Sequence, residues 1–333
     1  MTKYYTLADI AQMAGVSHMT VSRAINGTGT VKPETYERIM KICRETGFMP
    51  NVSARNLAAR KNNIIGVMVP DISTVFNSEV VSHIERFAYQ KGFHTLISSS
   101  FNNYEREEEI LATFAGYHVC GVMATGAGKD SVGTLLQYAN RIPMCCLGHN
   151  SPTEGVSWVR ADELKSGRMA TEYLIGLGHK HFTFVGGMSI YPGHDLRYEG
   201  FRTTLEENGI FDYQRFRLED GTNGYETGKA YFKKGLDATA IVAVNSKFAL
   251  GFMQAAYEFG LNAPKDFSLI SFNGESYPAL PQISMTTVTQ PIDEFSENAF
   301  DILMKNIEAD GDIEPIQSTV QPVLNIRHSC REL

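Results

Sequence analysis

The stretch "GVSHMTVSRAING", residues 15–27, sits between two runs of helical spacing and decides how the start of the chain is read. Upstream, Thr6 followed three residues later by Asp9 makes a capping-box-like start. Leu7, Ile10, Ala11 and Ala14 then recur at the spacing of one helix face. Gly15 stops that helix, because only glycine enters the left-handed conformation without steric cost. Val16 fills the turn, and the Ser17 hydroxyl can cap a second helix by accepting from a free backbone amide. In that second helix Val21, Ala24 and Ile25 share one face, while His18, Met19, Ser22 and Arg23 share the other. A third helix is expected from about Pro33 to Gly47, with Ile39, Ile42 and Cys43 inward. Two short helices joined through Gly-Val-Ser match the helix-turn-helix motif, whose second helix presents its amino-terminal residues to base edges. An ordinary three-helix surface bundle would show the same spacing.

Charge separates the two. The whole chain of 333 residues carries a formal net charge of −7, which would repel a polyanion. Residues 1–61 nevertheless hold nine cations against four anions, a net +5, and the remaining 272 residues carry −12. A basic head on an acidic body keeps attraction to phosphate local and discourages non-specific wrapping.

From residue 64 onward, apolar strand-like runs alternate with helical stretches. "NIIGVMVP", "FHTLISSS", "VCGVMAT" and "PMCCLG" read as buried parallel strands, with helices around 80–91, 105–117 and 131–140 between them. A second series, "HFTFVGG", "FRLED", "TAIVAVN" and "FSLISFNG", alternates with helices near 164–177, 196–208, 225–234 and 248–259. Two consecutive α/β blocks of similar size predict two doubly wound lobes, whose ligand crevices lie at the carboxyl ends of the strands.

Several chemistries fail on inspection. "GAGKDS" (126–131) lacks the first glycine and the hydroxyl residue of a phosphate loop and is expected to be a strand-end turn. His179 and His181 in "GHKH" have no acid or cysteine partners in sequence to complete a metal set, so a structural role is expected. No G-x-S-x-G element or nucleophile–base arrangement stands out, which predicts no enzyme activity, no cofactor and no metal. The five cysteines form no metal-like spacing and are expected to be reduced thiols. No apolar run approaches membrane-helix length and "MTKYYTLADI" has no signal-peptide core, so the cytoplasm is the expected compartment, with no membrane partner.

The run "TLADIAQMAGVSHMTVSRAING", then "ETYERI" and "GFMPNVSARNLA", resembles the LacI/GalR family of bacterial transcriptional regulators. The likeness continues through "IIGVMVPDIS", "LGHKHFTFVGG", "AVNSKFALG" and "SLISFNG", covering nearly the whole chain. It implies a helix-turn-helix domain over 1–50, a hinge helix and linker over 51–63, and a two-lobe effector-binding and dimerisation domain over 64–333. The lobes would be of periplasmic-binding-protein type, the N-lobe about 64–161 and 291–318 and the C-lobe about 162–290 and 319–333. The chain would cross between them near 161–163, 289–292 and 317–321. Function would be repression of carbohydrate-related genes, with operator affinity set by a sugar, sugar acid or sugar phosphate. The alternatives lack support: a periplasmic binding protein would have no basic head, and a nucleotide-dependent enzyme needs a phosphate fingerprint.

The resemblance also implies residue roles. Arg23 would pair with guanine O6 and N7, Met19 suits a thymine methyl, and His18 can donate to a base or a phosphate. Ser17, Thr20, Ser22, Asn26 and Thr35 match backbone-contact positions, with helix capping an equal account of Ser17 and Thr20. Leu7, Asn51, Ala54 and Arg55 complete the DNA set. Leu57, in a hinge helix too short to be stable alone in water, would wedge into the minor groove beside its copy from a second subunit; a linker contact to the body is the bland alternative. A near-palindromic operator and a homodimer follow. The ending "VLNIRHSCREL" is too short for a tetramer-forming coil, so dimers alone are expected. In the effector crevice, Arg197 would offer its fork, Asn245 and Asn273 lie at strand ends, His149 matches a cleft loop, and Phe76 either stacks on a sugar or fills the core. Family members that bind neutral sugars commonly carry aspartate where this chain has Ser246 and Asn273. Those departures favour an anionic sugar, with a neutral sugar or a purine-like corepressor as alternatives.

Overall fold

The computed structural model describes residues 5–27, 29–49, 62–125, 131–148, 154–187, 192–219, 222–273, 279–309 and 314–333. The chain divides into two compact units, Met1–Asn62 and Asn63–Leu333.

The first unit holds α1 (Leu7–Ala14), α2 (His18–Asn26) and α3 (Pro33–Thr46). Thr6 and Asp9 form a reciprocal capping box, with the Thr6 amide donating to the Asp9 carboxylate over 2.7 Å. Gly15 ends α1 at φ 62°, and the Ser17 hydroxyl accepts from the Thr20 amide to start α2. Ile10, Ala11, Ala14, Val21, Ala24, Ile39 and Cys43 form its small core, with Ile42 packed at the edge.

The second unit contains two six-stranded sheets. The first is built from β1 (Ile64–Val69), β2 (His94–Ser99), β3 (Gly121–Thr125), β4 (Met144–Leu147), β5 (Ser157–Ala161) and β11 (Gln317–Val320). Its order is β11-β5-β4-β3-β1-β2, and every pairing is parallel. The second holds β6 (Phe182–Val185), β7 (Tyr213–Phe216), β8 (Ala240–Ala243), β9 (Ser268–Phe272), β10 (Thr286–Thr289) and β12 (Val323–Asn325) in the order β12-β10-β9-β8-β6-β7. Only β12 runs antiparallel to its neighbour. Helices cover both faces of each sheet, so the central strands are buried along their length and read as apolar runs rather than alternating ones. Two apolar cores flank the first sheet and two flank the second.

The helices of this unit are α4 (Val75–Gln90), α5 (Tyr104–Gly116), α6 (Ser131–Ala139), α7 (Glu163–Gly176), α8 (Pro192–Glu207), α9 (Gly224–Phe232), α10 (Ser246–Glu258) and α11 (Ile292–Glu308). The chain passes from the first sheet to the second at 162, returns at 290–291, and passes again at 321–322.

Three boundaries differ from expectation. The strand expected at "FRLED" is instead "YQRF", residues 213–216. Its neighbour β6 ends at Val185, and Gly186 and Gly187 turn away at φ 86° and 112°; the Gly186 amide bonded to the Phe216 carbonyl is the last rung. Helix α4 starts five residues earlier than expected, because Thr74 caps it and the Asn77 side chain bonds back to the Asp71 carbonyl at 2.8 Å. Helix α8 starts at Pro192 rather than Leu196, a proline in the first turn being compatible with the free amides there.

Candidate nucleic-acid interface and effector crevice

On the head, the residues left outside the core gather on α2. Ser17, His18, Met19 and Arg23 are exposed, Met19 by 62%, while Thr20 and Ser22 are half-buried. Positions 18, 19, 22 and 23 lie one turn apart on a single face opposite buried Val21 and Ala24. An exposed methionine beside an arginine on a capped helix offers an apolar contact and a two-pronged donor to a groove. Gly29 takes the left-handed conformation at φ 82° beside the Arg23 side chain, where a β-carbon would stand at ordinary contact distance, 3.4 Å. The Ser17 and Thr20 hydroxyls bond each other at 2.9 Å, so each keeps hydrogen-bonding capacity near the amino end of α2. Leu7 is half-buried against the head core, and Thr35 is half-buried in the first turn of α3. Asn26 ends α2, its side chain being outside the described residues, as are Asn51, Ala54, Arg55, Leu57 and His149.

In the second unit each sheet reverses its winding once, between β1 and β3 and between β6 and β8. Ligand crevices in such sheets open at the carboxyl ends beside that reversal. The carboxyl end of β1 leads through Asp71 to Phe76, in the first turn of α4. Phe76 is half-buried, edge-on to Phe295 at 5.9 Å, and packs against the core, the second of the two roles open to it. The Asp71 carboxyl is held below its usual range by the Ser73 hydroxyl and amide, with the Lys247 ammonium adding a weaker pull from the start of α10.

At the other reversal, β8 ends at Ala243 and leads through Val244 to Asn245. The Asn245 side chain caps α10 by accepting from the Phe248 amide at 2.8 Å. Asn273 follows β9 in the left-handed conformation at φ 59°, which asparagine tolerates better than most residues. Its amide donates to the Val288 carbonyl, and its carbonyl accepts from the Ser246 hydroxyl. The Asn273 side-chain oxygen is shielded from solvent and has no hydrogen-bond partner among the described residues.

Arg197 is buried. Its Nε and one terminal nitrogen donate to the two oxygens of Glu163 at 2.6 and 2.7 Å, and the other terminal nitrogen donates to the Val244 carbonyl at 2.8 Å. Its guanidinium stands 4.9 Å over the Phe272 ring. Gln290 adds a 2.6 Å bond to the same Glu163 carboxylate. Three of the five Arg197 N–H groups thus have described partners, and its charge is opposed by a carboxylate. Next to it, burial, then Arg197 and Arg215, push His194 down to about 3. Arg215 pairs with Asp195 at 2.8 Å and stacks over Tyr198 at 4.5 Å.

Glu163, Gln290 and His194 were not singled out in the sequence. A glutamate opening a helix after an aspartate reads as a helix-dipole residue. The available signal is the glycine spacing, Gly167 four residues after Glu163 and Gly200 three after Arg197, which marks two helices that touch.

His179 bonds the Thr239 and Ser268 hydroxyls at 2.9 Å each, and His181 pairs with Asp212, so both serve structure. Among the described residues no cluster could hold a metal, and no helix is long and apolar enough to cross a membrane. A cavity of about 510 Å³ bordered by Cys120, Arg141, Ser157 and Asn306 lies at the amino ends of the first sheet's strands. The Ser157 and Asn306 side chains bond each other, the Met144 carbonyl and the Ile316 amide.

Comparison with known proteins agrees with this geometry. Residues 6–51 match the model for bacterial regulatory proteins of the lacI family, and 171–330 match the periplasmic binding protein-like domain. The HTH-type transcriptional regulator DegA of Bacillus subtilis (strain 168) is 33% identical over 298 residues, 87% of each chain. The lac repressor dimer bound to operator and the anti-inducer ONPF superposes with a TM-score of 0.83 at 23% identity, over 99% of this chain and 100% of that one. A LacI family regulator from Enterococcus faecium with bound ribose gives 0.71 at 25% identity, over 81% and 99%. A basic helix-turn-helix head on two doubly wound lobes, with these matches along the chain, makes this protein a member of the LacI family of bacterial regulatory proteins, a DNA-binding regulator of transcription and not an enzyme.

Proposed function

We propose that this regulator is a cytoplasmic homodimeric repressor that releases or holds a near-palindromic operator in response to a neutral sugar bound between its lobes. One head reads one half-site, so a two-fold operator calls for two copies. In this reading Arg23, Met19 and His18 read bases, while Leu7, Ser17, Thr20, Ser22, Asn26, Thr35, Asn51, Ala54 and Arg55 fix the backbone and Leu57 enters the minor groove. Phe76, His149, Arg197, Asn245 and Asn273 belong to the effector crevice. The lac repressor relative is an operator-bound dimer and the Enterococcus faecium relative holds ribose, which supports both halves of the proposal.

The observation that carries the sugar assignment is the Asn273 oxygen. An acceptor shielded from solvent and without a partner among the described residues costs about 1–3 kcal/mol, and a ligand hydroxyl would remove that cost where a phosphate or carboxylate oxygen would not. From sequence alone, the departures at Ser246 and Asn273, with Arg197 retained, favour an anionic sugar. With Glu163 bonded to that arginine, the positive charge is already offset.

The test is a thermal-shift screen of ribose, glucose, cellobiose, ribose 5-phosphate and gluconate, followed by operator titration with each hit. A neutral sugar that shifts both melting and operator affinity is expected. Hits confined to ribose 5-phosphate and gluconate would reject the neutral-sugar reading, and sugar binding that leaves operator affinity unchanged would reject the regulatory one.

A further inference from the structure

Glu163 opens α7 immediately after the first passage between the sheets, and Gln290 lies on the second passage. One carboxylate is therefore bonded both to a crevice arginine and to the chain that links the lobes. The side chains of Arg197 and Glu163 are 4% and 7% exposed, so water does little to screen the pair. Asn273 follows Phe272, the ring beneath the Arg197 guanidinium. This chain has an amide there and has its acid at 163. The negative charge opposing Arg197 comes through α7 rather than from the strand end at 273.

We propose that Glu163 is the residue that sets the charge preference of the effector crevice, neutralising Arg197 through α7 and tying it through Gln290 to the passages that move when the lobes close. The proposal rests on the effector reading above and deepens it. An anion placed against Arg197 meets a cation already paired and stands near a second carboxylate, so it loses its water without gaining a counter-charge. A hydroxylated ligand meets Arg197 N–H groups and the Asn273 amide, groups that can bond to it without a change in net charge. Pulling on Arg197 also pulls on Glu163 and Gln290, which gives a ligand different contacts in open and closed lobes. That difference is what a conformational response requires.

The test compares the full chain with E163Q and with E163Q/N273D. Melting is measured in buffer with and without sodium sulfate, and ribose and ribose 5-phosphate are titrated by calorimetry. E163Q leaves a buried cation unopposed, so it should melt lower than wild type. Sulfate should recover most of that loss, beyond any rise it gives the wild type. The double variant should melt above E163Q without sulfate, because it restores a carboxylate at the strand end that follows Phe272, the ring beneath the guanidinium. Affinity for ribose 5-phosphate relative to ribose should rise by roughly tenfold in E163Q, the worth of one charged hydrogen bond. A merely structural glutamate would lower melting with no selective response to sulfate, and that result overturns the proposal. If E163Q does not fold, a folded double variant supports the charge relocation and an unfolded one overturns it. The sulfate arm needs no effector. Failure of every sugar to bind the wild type therefore counts against the effector reading alone.

Discussion

Gly167 of α7 and Gly200 of α8 face each other at backbone contact. A β-carbon on Gly167 would stand 2.1 Å from the Arg197 carbonyl oxygen, and one on Gly200 would stand 2.1 Å from the Leu164 carbonyl oxygen. Neither obstacle is a flexible side chain, so the helices must separate to admit a methyl group. This approach carries Glu163 and Arg197, one turn away on each helix, to within hydrogen-bond reach. Gly200→Ala is expected to destabilise by about 1–3 kcal/mol through overpacking. It should also weaken any effector response by loosening the ion pair. Chemical denaturation and effector titration on the same variant check this: a stable variant with unchanged effector affinity would refute the coupling.

On the head, base reading and backbone contact are separable. Arg23→Ala is expected to lose about 1–3 kcal/mol of discrimination at one base pair in each half-site, with other positions unaffected. Ser17→Ala removes the cap of α2 as well as a proposed phosphate contact. It should cost the head about 1 kcal/mol in stability and weaken operator variants uniformly. Affinity measured over a panel of single-base operator variants distinguishes the two patterns; uniform weakening by Arg23→Ala would remove it from base reading.

Much of the architecture was legible because it is local. Thr6, Asp9, Gly15 and Ser17 act within a few residues of themselves, and the sequence pattern is the structure. The buried runs of β1, β3, β8 and β9 were equally plain, since strands covered on both faces have no polar side to disguise them. Strands β5, β10, β11 and β12 and helix α11 escaped notice; β11 and β12 are short and take their place beside strands far away in sequence. The register of β7 depended on where β6 turned away. The crevice was half legible: strand-end asparagines can be named from position, but Glu163 and Gln290 are 127 residues apart and meet only when both passages form.

The neutral state of His194 makes stability depend on acid. Its ordinary value is 6.5, and burial with Arg197 and Arg215 pushes it down to about 3 in the folded protein. As pH falls below about 6.5 the unfolded chain binds a proton that the folded chain refuses. The contribution is therefore whole above 6.5 and is lost progressively toward 3, by at most about 1.4 kcal/mol per pH unit. Buried His179, also lowered, adds in the same direction. Denaturant midpoints between pH 7.5 and 5 should fall with acid in the wild type and fall less in His194→Asn. Equal slopes would show that His194 takes up its proton freely while folded.

Asn273 combines two properties that substitution can separate. Its backbone sits at φ 59°, bonded to Val288 and Ser246, and its side-chain oxygen is the shielded acceptor proposed to meet the ligand. Glycine adopts that backbone freely, whereas alanine pays roughly 1–2 kcal/mol for it. Asn273→Gly should therefore fold about as well as the wild type and lose the ligand bond, weakening a neutral effector by roughly fivefold to tenfold, about 1 kcal/mol. Asn273→Ala should lose the same ligand bond and melt lower besides. Calorimetry of the effector and melting of the free protein, measured on both variants, give two independent readings. If Asn273→Gly binds the neutral effector as tightly as the wild type, the shielded oxygen faces something other than the ligand.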